Sequence, residues 1–298
     1  MKRWMMLLGL SLVAALGTER AHAVAPVTPM LVTTPKLDRA RLEAEIALAR
    51  TRSPRTFEAV ARVRAKVEAL DARRRGPIPL VATLLEGLGP DAFEALAERV
   101  LVADPTLSGT ALRGFRVGVI EAIGALRDPR AVEVLAPLLD DGDELVTRVA
   151  AEAIGKAGGE SALLARFDRP AVIAGAGTCR RRAMAVALAG VVSRRPSHAA
   201  VLSAVRALAD VGSSWAWKTG KLPHAGEERD VRAIAGAALI EAFAGFDGEI
   251  RKAASNALMV VDDEGTPARI AAAKTGASTD TVAALDQLAI RFAKNPAR

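Results

Sequence analysis

Tyrosine is absent from this 298-residue chain, aromatic residues make up 3% of it, and it has one cysteine and three histidines. Each shortage excludes something. One cysteine, Cys179, allows neither an intramolecular disulfide nor a thiolate metal cluster. As a nucleophile Cys179 would need an activating base, and the sequence marks none. His198 and His224 stand far apart without a His-x-x-x-His or His/Asp cluster, so no metal site and no cofactor are expected. There is no Gly-x-Ser-x-Gly elbow and no obvious pair of catalytic acids. No stretch alternates with the period of two that a half-buried strand needs; "PAVIAG" (170–175) comes nearest.

Apolar residues make up 51% of the chain. With so few aromatics, the core must be built of Ala, Leu, Val and Ile, which suits helices in close contact. The beginning reads as an export signal. Lys2 and Arg3 precede an apolar run of 13 residues, Trp4 to Leu16, and "ERAHA" then ends in Ala21-x-Ala23. Thirteen residues fall short of the roughly 20 that cross a bilayer, so the mature chain is expected to have no transmembrane span. No Cys follows the cleavage site, which speaks against a lipid anchor. The expected organisation is a signal peptide at 1–23, cleaved after Ala23, with a Pro/Thr-rich linker at 24–36. A basic helical pair follows at 37–75, and a repetitive body at 76–298. The localisation expected is periplasmic or secreted.

The net charge of +7 is unevenly placed. Residues 36–75 hold twelve basic and six acidic side chains, whereas 76–298 hold twenty-six and twenty-seven. A nucleic-acid binder would want a basic stripe along its body, so no nucleic-acid partner is expected.

The body is a monotonous series of helical patterns joined by short links carrying Gly, Pro, Asp and Ser. Five helix starts align: "FRVGVIEAIGAL" (115–126), "VTRVAAEAIGKA" (146–157), "RRRAMAVALAGV" (180–191), "VRAIAGAALIEA" (231–242) and "IRKAASNALMVV" (250–261). Each has a polar second position, usually Arg, small residues at mid-helix, and an apolar residue seven places later: Ile123, Ile154, Leu188, Leu239 and Leu258. In "RDPR" (127–130), Asp128 is expected to cap a helix whose first residue is Pro129. Neither short helix can bury its apolar face alone, so the breaks imply stacked helix pairs.

"VTRVAAEAIGKAG" and "GALRDPRAVEVLAPLLDDGDE" resemble HEAT-like repeats of the short kind first associated with phycobilisome lyases. The resemblance is close over 115–158, looser at 180–211 and slight at 229–294, and residues 24–103 match only as paired helices. It implies an all-α, right-handed superhelical solenoid of antiparallel helix pairs and a non-catalytic scaffold whose partner is another protein. A second reading is a binder of anionic envelope polymer or lipid headgroups through 36–75. Enzymes of this resemblance exist, bilin lyases and alkylpurine DNA glycosylases among them, with substrates inside the cell.

Three stretches look like chemistry and have simpler explanations. Gly175-x-Gly177 in "GAGTCR" is half of a phosphate-cradling loop, with Arg180 in place of the third glycine. "DDGDE" (140–144) and "DDEG" (262–265) lack the alternating ligands of a Ca²⁺ loop and suit helix starts. The other carboxylates read as solvated faces or caps.

The candidate binding site is an insertion. Successive repeat starts lie 31 and 34 residues apart, but Arg181 and Arg232 are separated by 51. The excess matches "GSSWAWKTGKLPHAGEE" (212–228), read as a loop without helical period. Trp215 and Trp217 are favoured hot-spot residues, and Lys218, Lys221 and His224 add donors for an acidic or polar partner. The alternative is that both indoles fold back to cap a repeat edge.

Overall fold

A computed structural model describes residues 37–72, 80–102, 104–107, 109–220, 222 and 224–295. The signal segment 1–23, the linker 24–36 and Lys221 lie outside the described residues. The described chain is helical throughout, with no strand among the described residues. In chain order come α1 (Arg39–Arg52), α2 (Pro54–Ala65), α3 (Val67–Ala72), α4 (Leu80–Glu86), α5 (Phe93–Leu101) and α6 (Gly109–Leu126). Next are α7 (Arg130–Leu135), α8 (Glu144–Lys156), α9 (Glu160–Leu164), α10 (Pro170–Gly175), α11 (Arg182–Arg194) and α12 (His198–Val211). The last are α13 (Ser214–Thr219), α14 (Glu228–Gly245), α15 (Gly248–Val261), α16 (Thr266–Ala273) and α17 (Thr279–Ala293).

Alternate helices stack. α4, α6, α8, α10, α12 and α15 form one continuous row, each packed on the next. The intervening helices pair with that row: α5 with α6, α7 and α9 with α8, α11 with α12, and α14 with α15. α9, α11, α14 and α16 also touch in turn, making a second row. The five aligned helix starts are therefore divided between the rows. α6, α8 and α15 belong to the first, α11 and α14 to the second.

Small residues set the spacing of the rows, as the composition requires. A Cβ on Gly124 would lie 2.7 Å from the Cβ of Ala153, so α6 and α8 meet almost backbone to backbone. Around such contacts Ile123, Ile154, Leu188, Leu239 and Leu258 are all fully buried. The polar second position ties each helix to a turn. Arg116 bonds the Asp141 carboxylate at 2.5 Å, Thr147 Oγ1 donates to the Asp141 carbonyl, and Arg232 Nε donates to the Val261 carbonyl at 3.1 Å.

The "RDPR" turn is built as its residues dictate. Arg127 takes φ 53°, ending α6, and Asp128 Oδ1 accepts from the Arg130 amide at 2.8 Å. Pro129 already has helical angles, φ −57° and ψ −27°, where its missing N–H costs nothing.

One ambiguous stretch is resolved and one local expectation is corrected. "PAVIAG" is α10, a helix rather than a strand: Pro170 starts it, and Val172 and Ile173 are buried between α8 and α12. Packing outweighs the weak strand preference of two β-branched residues. The second helix of the pair expected over 37–75 breaks at Lys66, which turns α3 onto α6 and buries Val67.

Candidate functional site

The insertion between α12 and α14 is not a structureless loop. Ser213 caps α13, its Oγ accepting from the Ala216 amide at 3.4 Å, and six residues then form a helix. The reason is a short spacing that is easy to overlook. Ser214 and Trp217, three apart, share the inward face of α13. Ser214 Oγ donates to the Val260 carbonyl at 3.2 Å, and Trp217 Nε1 donates to the Val211 carbonyl at 2.9 Å. Trp217 is 6% exposed and Trp215 is 74% exposed. The two indoles therefore differ: Trp217 anchors the insertion, while Trp215 stands out with the exposed Lys218 on the opposite face.

Beyond Gly220 the chain returns across the first residues of α11. Arg181 Nε donates to Glu227 Oε1 at 3.1 Å, the Arg182 amide donates to Glu227 Oε2 at 2.7 Å, and Arg181 Nη1 lies 2.9 Å from His224 Nε2. The Arg182 amide, with Arg181 beside it, holds the Glu227 carboxyl below its ordinary value. His224 stays exposed but contacts Arg181.

Where the insertion returns, it walls a cavity of about 320 Å³. Leu222 and His224 form that wall; Arg127, Lys156, Arg180 and Arg181 line much of the rest, together with Pro129 and residues of the 155–158 and 178–179 turns. Cys179 is 1% exposed, and burial pushes its thiol up to about 12, so it is not a nucleophile at neutral pH. Gly175 and Gly177 serve close packing: a Cβ on Gly175 would strike the Arg148 carbonyl and Ala151, and one on Gly177 would approach Asp210 Cβ to 2.8 Å.

The acidic turns are engaged by arginine. Asp140 accepts from Arg166 at 3.0 Å, Asp141 from Arg116 and Asp143 from Arg113, each at 2.5 Å, while Asp143 also caps α8. Asp263 pairs with Arg269. Among the described residues no cluster of three His, Cys, Asp or Glu side chains is arranged to hold a metal ion.

Not every carboxylate is a solvated face or a cap. Glu121 on α6 and Glu152 on α8 are half-buried along the first row, and burial raises both carboxyls above their ordinary value. Arg148, bonded to Glu152 at 2.7 Å, only partly offsets this. Asp210 on α12 is also raised although it reaches solvent, because it sits in a hollow against α15 where neighbouring atoms remove part of its hydration.

Residues 107–170, from the approach to α6 through the first residue of α10, match the family described as HEAT repeats. No curated protein matches the chain. Together with the paired rows described above, that match supports HEAT-like repeats in this chain.

Proposed function

We propose that this HEAT-like repeat chain is an exported, non-catalytic scaffold that captures another protein through the outer face of α13. The observation that carries the reading is the unequal pair of indoles. An indole 74% exposed on a helix clamped by its neighbour is a rigid, pre-positioned contact. Such a residue offers a large apolar area at little cost in side-chain entropy when a partner covers it. Lys218 beside it favours a partner with acidic or polar groups around an apolar hollow. Stacked repeats contact mainly their neighbours, so an insertion at one edge can serve binding without disturbing the core.

The reading of 36–75 as a binder of anionic polymer has less support. Arg41 pairs with Glu133, Arg50 with Glu98 and Arg64 with Asp104, so three of its arginines hold the helical pair to the body.

The test is capture from an envelope extract with Trp215→Ala as the paired control. Lost capture at an unchanged melting temperature supports the reading; undiminished capture overturns it. Export has its own check. The intact mass of protein recovered from the cell envelope should begin at Val24, and protein that retains Met1 would refute it.

A further inference from the structure

The cavity beside the insertion has a charge balance that the fold does not explain. Arg127, Lys156, Arg180 and Arg181 line it, and no carboxylate does. Glu227 answers Arg181. Arg127, Lys156 and Arg180 make no ion pair among the described residues, although Glu121 and Glu152 attract Lys156 at longer range. Arg127 and Lys156 follow or end α6 and α8, where the partial negative charge of a helix end attracts cations. That end carries only about half a charge, against a whole charge on each side chain. Arg180 stands between two helix ends, just past the turn at 176–178 that extends α10. It precedes α11, at the end of a helix that disfavours cations, and α11 has no acidic residue in its first turn.

Arg180 is also partly enclosed. Its Nε is enclosed without a hydrogen-bond partner, and Asp210 lies nearby but outside ion-pair distance. Burial lowers its affinity for the proton, Asp210 partly restores it, and the neighbouring Arg127 lowers it further. Asp210 outweighs the repulsion from Arg127 but makes no ion pair with Arg180, so neither guanidinium is neutralised at close range.

We infer that this cavity binds the phosphate group of a small molecule or lipid headgroup, with Arg127, Lys156 and Arg180 as its ligands. Guanidinium forks suit tetrahedral oxyanions because they offer paired donors, and Lys adds a mobile charge. The volume, about 320 Å³, lies at the lower end of the range for small-molecule sites. It admits a phosphate with a short substituent, not a polymer. The glycines of "GAGTCR" take no part as a cradle; the side chains do the binding. The assignment does not rest on the scaffold reading, since it uses neither Trp215 nor the outer face of α13.

The test is isothermal titration of the full-length protein with inorganic phosphate and with glycerol 3-phosphate, at constant ionic strength in chloride buffer. Saturable binding is expected, weakened at least tenfold in Arg127→Gln/Lys156→Gln. Both of those residues are exposed, so the variant should fold as the parent does. Arg180→Gln should weaken binding further, its fold being checked by circular dichroism. Sedimentation with phosphatidylcholine vesicles containing phosphatidate separates the two sources. Capture that is lost in the same variants supports the site with a lipid headgroup as ligand. Retained phosphate binding without vesicle capture supports it with a soluble phosphate. No saturable heat with phosphate, or equal affinity in the Arg127→Gln/Lys156→Gln variant, overturns the inference.

Discussion

Ile154 has no solvent contact and sits where α8 meets its neighbours in both rows. Ile154→Ala removes three carbons from a site whose backbone cannot easily close in, because α6 and α8 already touch at Gly124 and Ala153. The expected cost is roughly 2–5 kcal/mol, read by urea denaturation. A loss within about 0.5 kcal/mol would place Ile154 outside the core. Glu152 gives a prediction of opposite sign. Its carboxyl is raised by burial, so the folded chain binds that proton more readily than the unfolded chain does. The group therefore costs stability increasingly as pH climbs from the ordinary carboxylate range through the raised value. Glu152→Gln should melt above the parent at neutral pH, and the gap should close as the pH is taken below that range. A gap that persists at low pH would assign the effect to packing. Asp143 behaves the other way: Arg113 holds its carboxyl down, so its contribution appears above the ordinary range and fades in acid. Ile154 was readable as core from its place in the repeat. The burial of Glu152 was not, since a carboxylate on a helix looks the same in sequence whether or not another helix lies across it.

Among elements, the helices legible from sequence were those with a start, a period and a stop. α8 has an Asp143 cap, an apolar stripe and a glycine after its end, and it forms as read. α10 and α13, six residues each, are too short to show a period, and their identity is set by what they pack against. Trp217 decides the matter for α13. Its indole fills the space below the helix and its Nε1 reaches the Val211 carbonyl, so Trp217→Ala removes the anchor and leaves that carbonyl without its donor. A loss of roughly 3–5 kcal/mol is expected by analogy with other buried aromatic truncations. Trp215→Ala, on the exposed face, should stay within about 0.5 kcal/mol of the parent. Thermal melts of the two single variants check this directly. Equal losses would mean that both indoles are structural, and would remove the basis for docking at Trp215. The sequence showed the insertion by its length and its two tryptophans, but which one faces out followed only from Ser214 and Trp217 sharing a face. The phosphate cavity was less legible still. Arg127, Lys156 and Arg180 come from three successive units, and only stacking brings them to one place.

At the scale of the whole molecule, a chain of stacked pairs has no single centre. An interior helix of the first row is held by the one before it and the one after it, and most are also held by a helix packed across. Helix α8 has all of these neighbours: it packs on α6 and α10 along its own row, and on α7 and α9 across. Among the described residues helix α17 packs mainly against α16 and α15, and α1 mainly against α5 and α2. Stability in such an array is close to a sum of unit and nearest-neighbour interface terms, so units with neighbours on one side only should open first. Native-state hydrogen exchange should then show a gradient. Amides of α6, α8 and α12 should be the slowest, those of α1 and α17 should exchange soonest, and the α13 insertion should fall between because Trp217 ties it to α12. Ile154→Ala should lower protection most in α6, α8 and α10 while leaving α17 nearly unchanged. Uniform protection from α1 to α17, lost everywhere at once in Ile154→Ala, would instead mean that the two rows unfold as one cooperative body and that the interfaces outweigh the units they join.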